Sequence, residues 1–355
     1  MKNTYLLGVG AYIPDNIYTN RDICEALGFH PTRGAKYERL LGVRSRPICV
    51  DYRNGRKQII SCEELAYRAA LDAMRRAQVS AAEIDVVICS SSFFDYMAPP
   101  LSSRLLKRLG VEHAMTFDLI GGCAEFLHGV HVADALIRSS EVRTVLVTAS
   151  EVITAWWRQC RYPLEYFIFG DTGGAFVLSA DQGSHRLRGS RMHTRSKIDG
   201  EPAELIRVPI NGGKEVPELF YHDTAVDESV ARLSDIPHEQ RLLHNIKQVA
   251  FAAPRAMVEV TRELIAHEAV DPRECYLVPH QASVGVLNQL TETNIPQAQI
   301  GISLPERGNM STASVPVTLA EHWHEAVAQP HLVCTSVGVG MSYGALVFDR
   351  MDGSA

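Results

Sequence analysis

Two stretches of this chain, AQVSAAEIDVVICS at 77–90 and EAVDPRECYLVPHQ at 268–281, line up without a gap. Each ends a helical pattern, turns through a polar stretch with glutamate at the same place, and enters an apolar strand-like run. A second pair agrees with it. Strand, GGCAEF, helix and strand (115–149) match strand, GNMSTAS, helix and strand (300–336). Identities are few, so the order of elements carries the reading: an α/β chain made of two related halves, about 1–180 and 181–355. If the halves pack about a pseudo-twofold axis, strand ends from both converge, and ligands of open α/β sheets sit outside such carboxyl ends. The patterning predicts helices over 62–77, 101–109, 123–137, 244–267, 284–291 and 314–326. It predicts strands over 84–89, 115–120, 144–148, 174–179, 275–279, 332–336 and 344–348.

At 355 residues the chain is too long for one ordinary core and suits two fused halves. With 46% hydrophobic and 21% charged residues the composition is that of a soluble globular protein. No apolar run approaches the roughly 18 residues of a membrane span, and MKNTYLLGVGAYIPD reads as a first strand and not a signal peptide. The net charge of −6 comes without a basic block, which argues against nucleic acid as a partner. The eight cysteines show no metal-ligand spacing and no C-x-x-C pair. A reduced cytoplasm and no resident metal or cofactor are the expectation.

Three motifs bear chemistry. In DLIGGCAEF, Cys123 stands between an apolar strand and a helix, after two glycines that permit a sharp turn. A thiol at a helix start faces unpaired N–H groups and the positive end of the dipole, which favour thiolate; the same position also suits a buried cysteine acting as a small hydrophobe. In YLVPHQAS, His280 follows a strand, stiffened by Pro279 and next to the polar Gln281; a lone histidine there is also an ordinary structural one. In RGNMSTASVP, Asn309 occupies a Gly-Asn turn before a helix, a place that an N-cap would also fill. Together they fit a cysteine nucleophile with His and Asn donors for charge on a thioester oxygen.

Over nearly its whole length the chain resembles a β-ketoacyl-ACP synthase III of the thiolase-fold superfamily. DLIGGCAEF, PHQAS, GNMSTASVP, FGDTGGA (169–175) and SVGVGMSYGALVF (336–348) resemble five family motifs in the family's order. The resemblance implies a thiolase fold, two pseudo-twofold-related halves in an αβαβα sandwich. It implies that Cys123 takes an acyl group from a thioester. His280 and Asn309 would bind a malonyl-type thioester and stabilise the enolate left by carbon dioxide, and the backbone N–H groups of Cys123 and Val339 would form the oxyanion hole. Val339 replaces a glycine usual in the family. Substrates would arrive on coenzyme A or phosphopantetheine, and the protein would be a homodimer.

The chain also departs from the family. Glu125 replaces a glycine two residues after the nucleophile; it either simply suits the helix dipole or shapes the acyl pocket or interface, and a charge so close would raise the thiol pKa. Lys36, beside Tyr37, stands where a tryptophan often stacks on adenine, and Gly285 lies where an arginine helps dock the carrier protein. Arg158 or Arg161 could supply charge for a phosphopantetheine arm or be ordinary surface residues. The 201–243 segment is longer than usual and reads as a cap or lid, or as a solvated excursion. Alignment back from Cys123 puts Ala98, with Met97 beside it, at the floor of the partner's acyl pocket, and a small floor implies a larger acyl group. Gln281 completes the candidate substrate contacts. The leading reading is decarboxylative condensation in specialised metabolite, fatty-acid or polyketide synthesis. The alternative is transfer of the Cys123 acyl group to an alcohol or amine, and a third is a non-catalytic partner subunit.

Overall fold

The computed structural model describes residues 2–155 except 56, 93 and 97, then 164–203, 206–207, 243–244 and 246–351. Nine strands form one sheet: β1 (Tyr5–Tyr12), β2 (Val86–Ser90), β3 (Met115–Leu119), β4 (Thr144–Glu151), β5 (Thr172–Ser179), β6 (His185–Thr194), β7 (Cys275–Pro279), β8 (His331–Val337) and β9 (Ser342–Arg350). The helices that position the site are α1 (Pro31–Leu41), α2 (Cys62–Ala77), α3 (Leu101–Leu109), α4 (Glu125–Ser139), α5 (Ile246–His267), α6 (Val284–Gln289) and α7 (Ser314–Glu321).

The spatial order is β7-β8-β9-β6-β1-β5-β4-β2-β3. β3, β2 and β4 run parallel, then β5 and β1 antiparallel. From the other edge, β7 and β8 run parallel, then β9 and β6 antiparallel. A parallel bridge from Leu277 to Ile300 stands where β3 stands on the first side. The two runs meet where β1 pairs with β6.

The repeat read from the sequence is also visible bond by bond. α2 ends at Gln78 (φ 55°), and α5 is followed by Ala269 (φ 51°), its counterpart in the alignment. Val79 N–H donates to Met74 O at 3.0 Å, and Val270 N–H to Ile265 O at 3.0 Å. Glu83 N–H donates to Ser80 O at 3.2 Å, and Glu274 N–H to Asp271 O at 3.0 Å. A left-handed residue is uncommon outside glycine, so its recurrence at matched positions marks the same local solution used twice.

Five layers follow from the packing. α2 covers β1, β5 and β4 on one outside, and α5 covers β8 and β9 on the other. Between them, α4 touches β2 and β4 but also β9, while α7 touches β7 but also β1 and β5. These two helices are therefore the shared central layer, and Phe126 of α4 meets Phe176 of β5 edge to face at 4.8 Å. This is the αβαβα sandwich of the thiolase fold. Among the described residues no helix is long and apolar enough to cross a membrane.

Several boundaries differ from expectation. The helix after the cysteine begins at Glu125, with Ala124 as its N-cap, because Gly122 (φ 85°) turns the chain first. The stretch 314–326 breaks at His322 (φ −106°, ψ 24°) into α7 and a short turn of helix, Trp323–Val327. Most of the 201–243 segment lies outside the described residues; its ends, Ile206–Arg207 and Leu243–His244, pair with each other.

Candidate active site

Both halves deliver residues to one place at the strand ends. Cys123 is half-buried in the turn between β3 and α4, and its Sγ lies 3.4 Å from Ser311 Oγ. His280 follows β7, where its N–H donates to Thr335 O of β8 at 2.8 Å. The imidazole is 2% exposed, with Nδ1 3.0 Å from Ser314 Oγ. Burial pushes its pKa down to about 4, although a hydrogen bond with the Ser311 backbone opposes this. His280 is therefore neutral at physiological pH and carries one N–H.

Asn309 is held by its own backbone. Its N–H donates to Ile168 O at 2.7 Å and its carbonyl accepts from Gly170 N–H at 3.0 Å, so the FGD stretch positions it. Its Oδ1 accepts from Ser311 N–H at 2.8 Å, and its Nδ2 reaches Ala282 O at 3.4 Å. Ser311 thus touches all three motifs: the thiol by its side chain, the imidazole and the amide by its backbone. Nothing in the sequence around Ser311 signals this; its φ of 47°, rare for a non-glycine residue, is an unusual local feature visible only in the fold.

The loop bearing Val339 packs directly on the nucleophile turn. A Cβ on Gly338 would fall 2.9 Å from Cys123 N, and one on Gly122 would fall 3.4 Å from Val339 N. Ser336 Oγ donates to Cys123 O at 2.7 Å, fixing the turn further. The two backbone N–H groups expected to act together are thus neighbours, and the valine leaves that contact intact.

The thiol differs from expectation. The sequence predicts a thiolate at a helix N-terminus, but Cys123 stands two residues before the helix. Burial pushes its pKa up to about 12, the Ser311 hydrogen bond lowers it, and Glu151 raises it. The carboxylate bearing on Cys123 is Glu151, not Glu125. Glu125 is half-buried, folds its carboxylate back over Gly121 and acts electrostatically with His128. Glu151, at the end of β4, is fully buried, and burial pushes its pKa up to about 8.

Gln281 corrects a second expectation. Its Nε2 donates to Pro279 O at 2.9 Å and Gly301 O at 3.1 Å. Its Oε1 accepts from Ser303 N–H at 3.0 Å and Leu304 N–H at 2.9 Å. The amide's two donors and two acceptor positions are filled by backbone, so it ties β7 to the 301–304 turn and leaves no group for substrate. Ala98 is exposed, ahead of α3, whose first two N–H groups (Leu101 and Ser102) donate to Asp118 of β3 at 2.7 and 2.8 Å. Tyr37 stacks on Phe167 with centroids 4.9 Å apart, so packing claims one of its faces, while Lys36 is exposed. Met97, Arg158 and Arg161 lie outside the described residues.

Comparison with known proteins places this geometry in a class. The family model 3-oxoacyl-[acyl-carrier-protein (ACP)] synthase III matches residues 117–196, and the corresponding C-terminal model matches 265–350. The β-ketoacyl-[acyl-carrier-protein] synthase III of Xanthomonas campestris is 28% identical over 347 residues, covering 96% of each chain. The crystal structure of 3-oxoacyl-[acyl-carrier-protein] synthase III from Aquifex aeolicus superposes with a TM-score of 0.78 at 23% identity, over 98% of this chain and 100% of that one. A tetronic acid condensing enzyme, AbyA1, superposes at 0.82 with 20% identity, over 98% and 99%. Fold and relatives together define a thiolase-fold condensing enzyme. The chain belongs, more narrowly, with the β-ketoacyl-ACP synthase III-like enzymes, acyl-group transferases of fatty-acid or polyketide synthesis.

Proposed function

We propose that Cys123 takes an acyl group from a thioester and that His280 and Asn309 bind a malonyl-type or β-ketoacyl thioester beside it. The observation that carries this is the convergence of the three residues, from two halves of the chain, on Ser311. Asn309 donates to the thioester oxygen as carbon dioxide leaves, with His280 beside it turning its N–H from the Ser311 backbone to the same oxygen, so negative charge meets fixed donors. The enolate carbon attacks the acyl-Cys123 carbonyl, and the N–H groups of Cys123 and Val339 hold the resulting oxyanion. The carbon–sulfur bond to Cys123 breaks and a β-keto thioester departs.

The substrates arrive on coenzyme A or a carrier protein, and no resident cofactor takes part. The work is done in the cytoplasm, in two halves meeting near residue 180, with the 201–243 segment as a cap. Support for the cap is its root: Ile206–Arg207 runs beside Val339–Met341. Ala98 faces a partner subunit in a homodimer, and Glu125 shapes the acyl pocket. Support for the dimer is the outer strand β3, where Met115 is 50% exposed and Ile120, just beyond it, 63%.

Intact-mass measurement after incubation with a panel of acyl thioesters tests the reading, followed by a malonyl thioester and detection of carbon dioxide. A Cys123 adduct, then carbon dioxide and a β-keto product, is the expected result. Asn309→Ala keeps the adduct and loses carbon dioxide release by roughly 10²-fold. An adduct discharged only by alcohols or amines, without carbon dioxide, would overturn condensation in favour of acyl transfer.

A further inference from the structure

The condensation chemistry leaves one buried group unused. Glu151 is the last residue of β4, fully enclosed, at the inner end of the nucleophile site. Its carboxylate accepts from Ser92 N–H at 3.2 and 3.3 Å, from Thr312 N–H and from the Ser311 hydroxyl. Ser311 Oγ is also the neighbour of Cys123 Sγ at 3.4 Å. A hydroxyl has one proton and two lone pairs. Given to Glu151, that proton leaves a lone pair facing the thiol. Among the described residues, the side chain hydrogen-bonded to the thiol is Ser311 and not His280, whose Nδ1 is engaged by Ser314; the thiol's other contact is its own backbone.

We infer that Glu151 accepts the proton of Cys123 through the Ser311 hydroxyl and returns it to the departing carrier thiol. This rests on Cys123 being the acylated residue. As Sγ bonds to the thioester carbonyl carbon, the S–H proton passes to Ser311 Oγ while the Oγ–H proton passes to Glu151. The tetrahedral intermediate then collapses, the bond from carbon to the carrier sulfur breaks, and the proton returns by the same route to that sulfur. Nothing is oxidised, and Ser311 and Glu151 end as they began.

Two features of the site agree with it. The thiol is held protonated at rest by burial, so attack requires a proton acceptor. The Glu151 carboxyl changes charge near pH 8, where a group can both take and return a proton. Among the described residues, Cys62, whose buried thiol is pushed far up, also feels Asp95 and Glu151, while His280, which meets the Ser311 backbone, is neutral. Glu151 is a positioning and proton-accepting residue behind Ser311; it does not touch substrate.

Alkylation of Cys123 by iodoacetamide between pH 6 and 9.5, followed by peptide mass, is the test, because it needs no substrate. In the unaltered protein the rate should rise with a midpoint near 8. Glu151→Gln should slow alkylation at pH 8.5 about tenfold or more and remove that midpoint. Ser311→Ala, which leaves Glu151 in place should the first variant fold poorly, should cause the same loss, and the double variant should lose no more. A carboxylate that acted only by its charge would give the opposite sign, since removing it would lower the thiol pKa and speed the reaction. Faster or unchanged alkylation in Glu151→Gln, or a normal profile in Ser311→Ala, overturns the relay. Carbon dioxide release measured separately tells a failed relay from a failed condensation reading.

Discussion

Ser311 holds a left-handed backbone so that one short residue can face three others. Its neighbours come from positions far apart in the chain, with 188 residues separating it from Cys123. Cys123, His280 and Asn309 were legible because each stands in a motif after a strand. Ser311 was not, because its importance lies in contacts and not in its neighbours, and Glu151 was not, because TASEVI reads as the polar end of any strand. Gln281 shows the reverse error: adjacency to His280 implied a substrate contact, but in the fold its side chain points into backbone. The state of His280 gives a prediction at this scale. Its pKa is about 4 in the folded protein against 6.5 for an unperturbed histidine. Between those values the unfolded chain binds a proton that the folded chain refuses, so stability falls as pH falls from about 6.5 to about 4. The ring resonances of His280 in NMR spectra should titrate with a midpoint near 4. A midpoint near 6.5 would show a solvated imidazole and remove the fixed neutral donor from the mechanism.

At the scale of elements, α2, α3 and β7 were read to the residue, because their caps and apolar periodicity coincide. Ser61 caps α2 by accepting from Glu64 N–H, and Gly110 (φ 72°) ends α3. The start of α4 was misplaced for a reason periodicity cannot carry: the turn at Gly122 uses two more residues before helical bonding begins. α2 also shows why β1 reads Gly-Val-Gly. Its inward face is alanine at 66, 69, 70, 73 and 77, and it lies directly on the strand. A Cβ at Gly10 would sit 2.5 Å from Ala69 O and overlap Ala73 N, which is backbone and cannot rotate away. Gly10→Ala should therefore destabilise the protein by about 2–3 kcal/mol, read as a lower denaturation midpoint. A midpoint unchanged within error would mean that α2 can lift from the sheet without loss.

Over the whole molecule, the repeat was legible from the order of elements, and the strand pairing reproduces that order with directions the sequence could not supply. The shared central layer makes the site: α4 starts beside Cys123 from the first half, and α7 starts just after Asn309 and Ser311 from the second. What the sequence conceals is how carriers approach, since docking depends on a surface built from separate elements. Gly285 is the accessible part of that question. It is exposed on α6, and a Cβ there would meet nothing nearer than Ser283 Oγ at 4.0 Å. Gly285→Arg should fold normally and lower the KM for a malonyl carrier protein several-fold, with the coenzyme A thioester unaffected. An equal change for both carriers would show that this face is not where a carrier protein lands.

The protonated resting state of Cys123 has a bearing on oxidative damage. Peroxides attack thiolate far faster than thiol, so a sulfur held at a pKa of about 12 resists conversion to sulfenic acid while it waits for substrate. Cys24, Cys49, Cys62, Cys89, Cys275 and Cys334 are all buried. Were Cys123 the acylated residue proposed above, a thiol protonated at rest would keep its sulfur reduced between turnovers better than a standing thiolate.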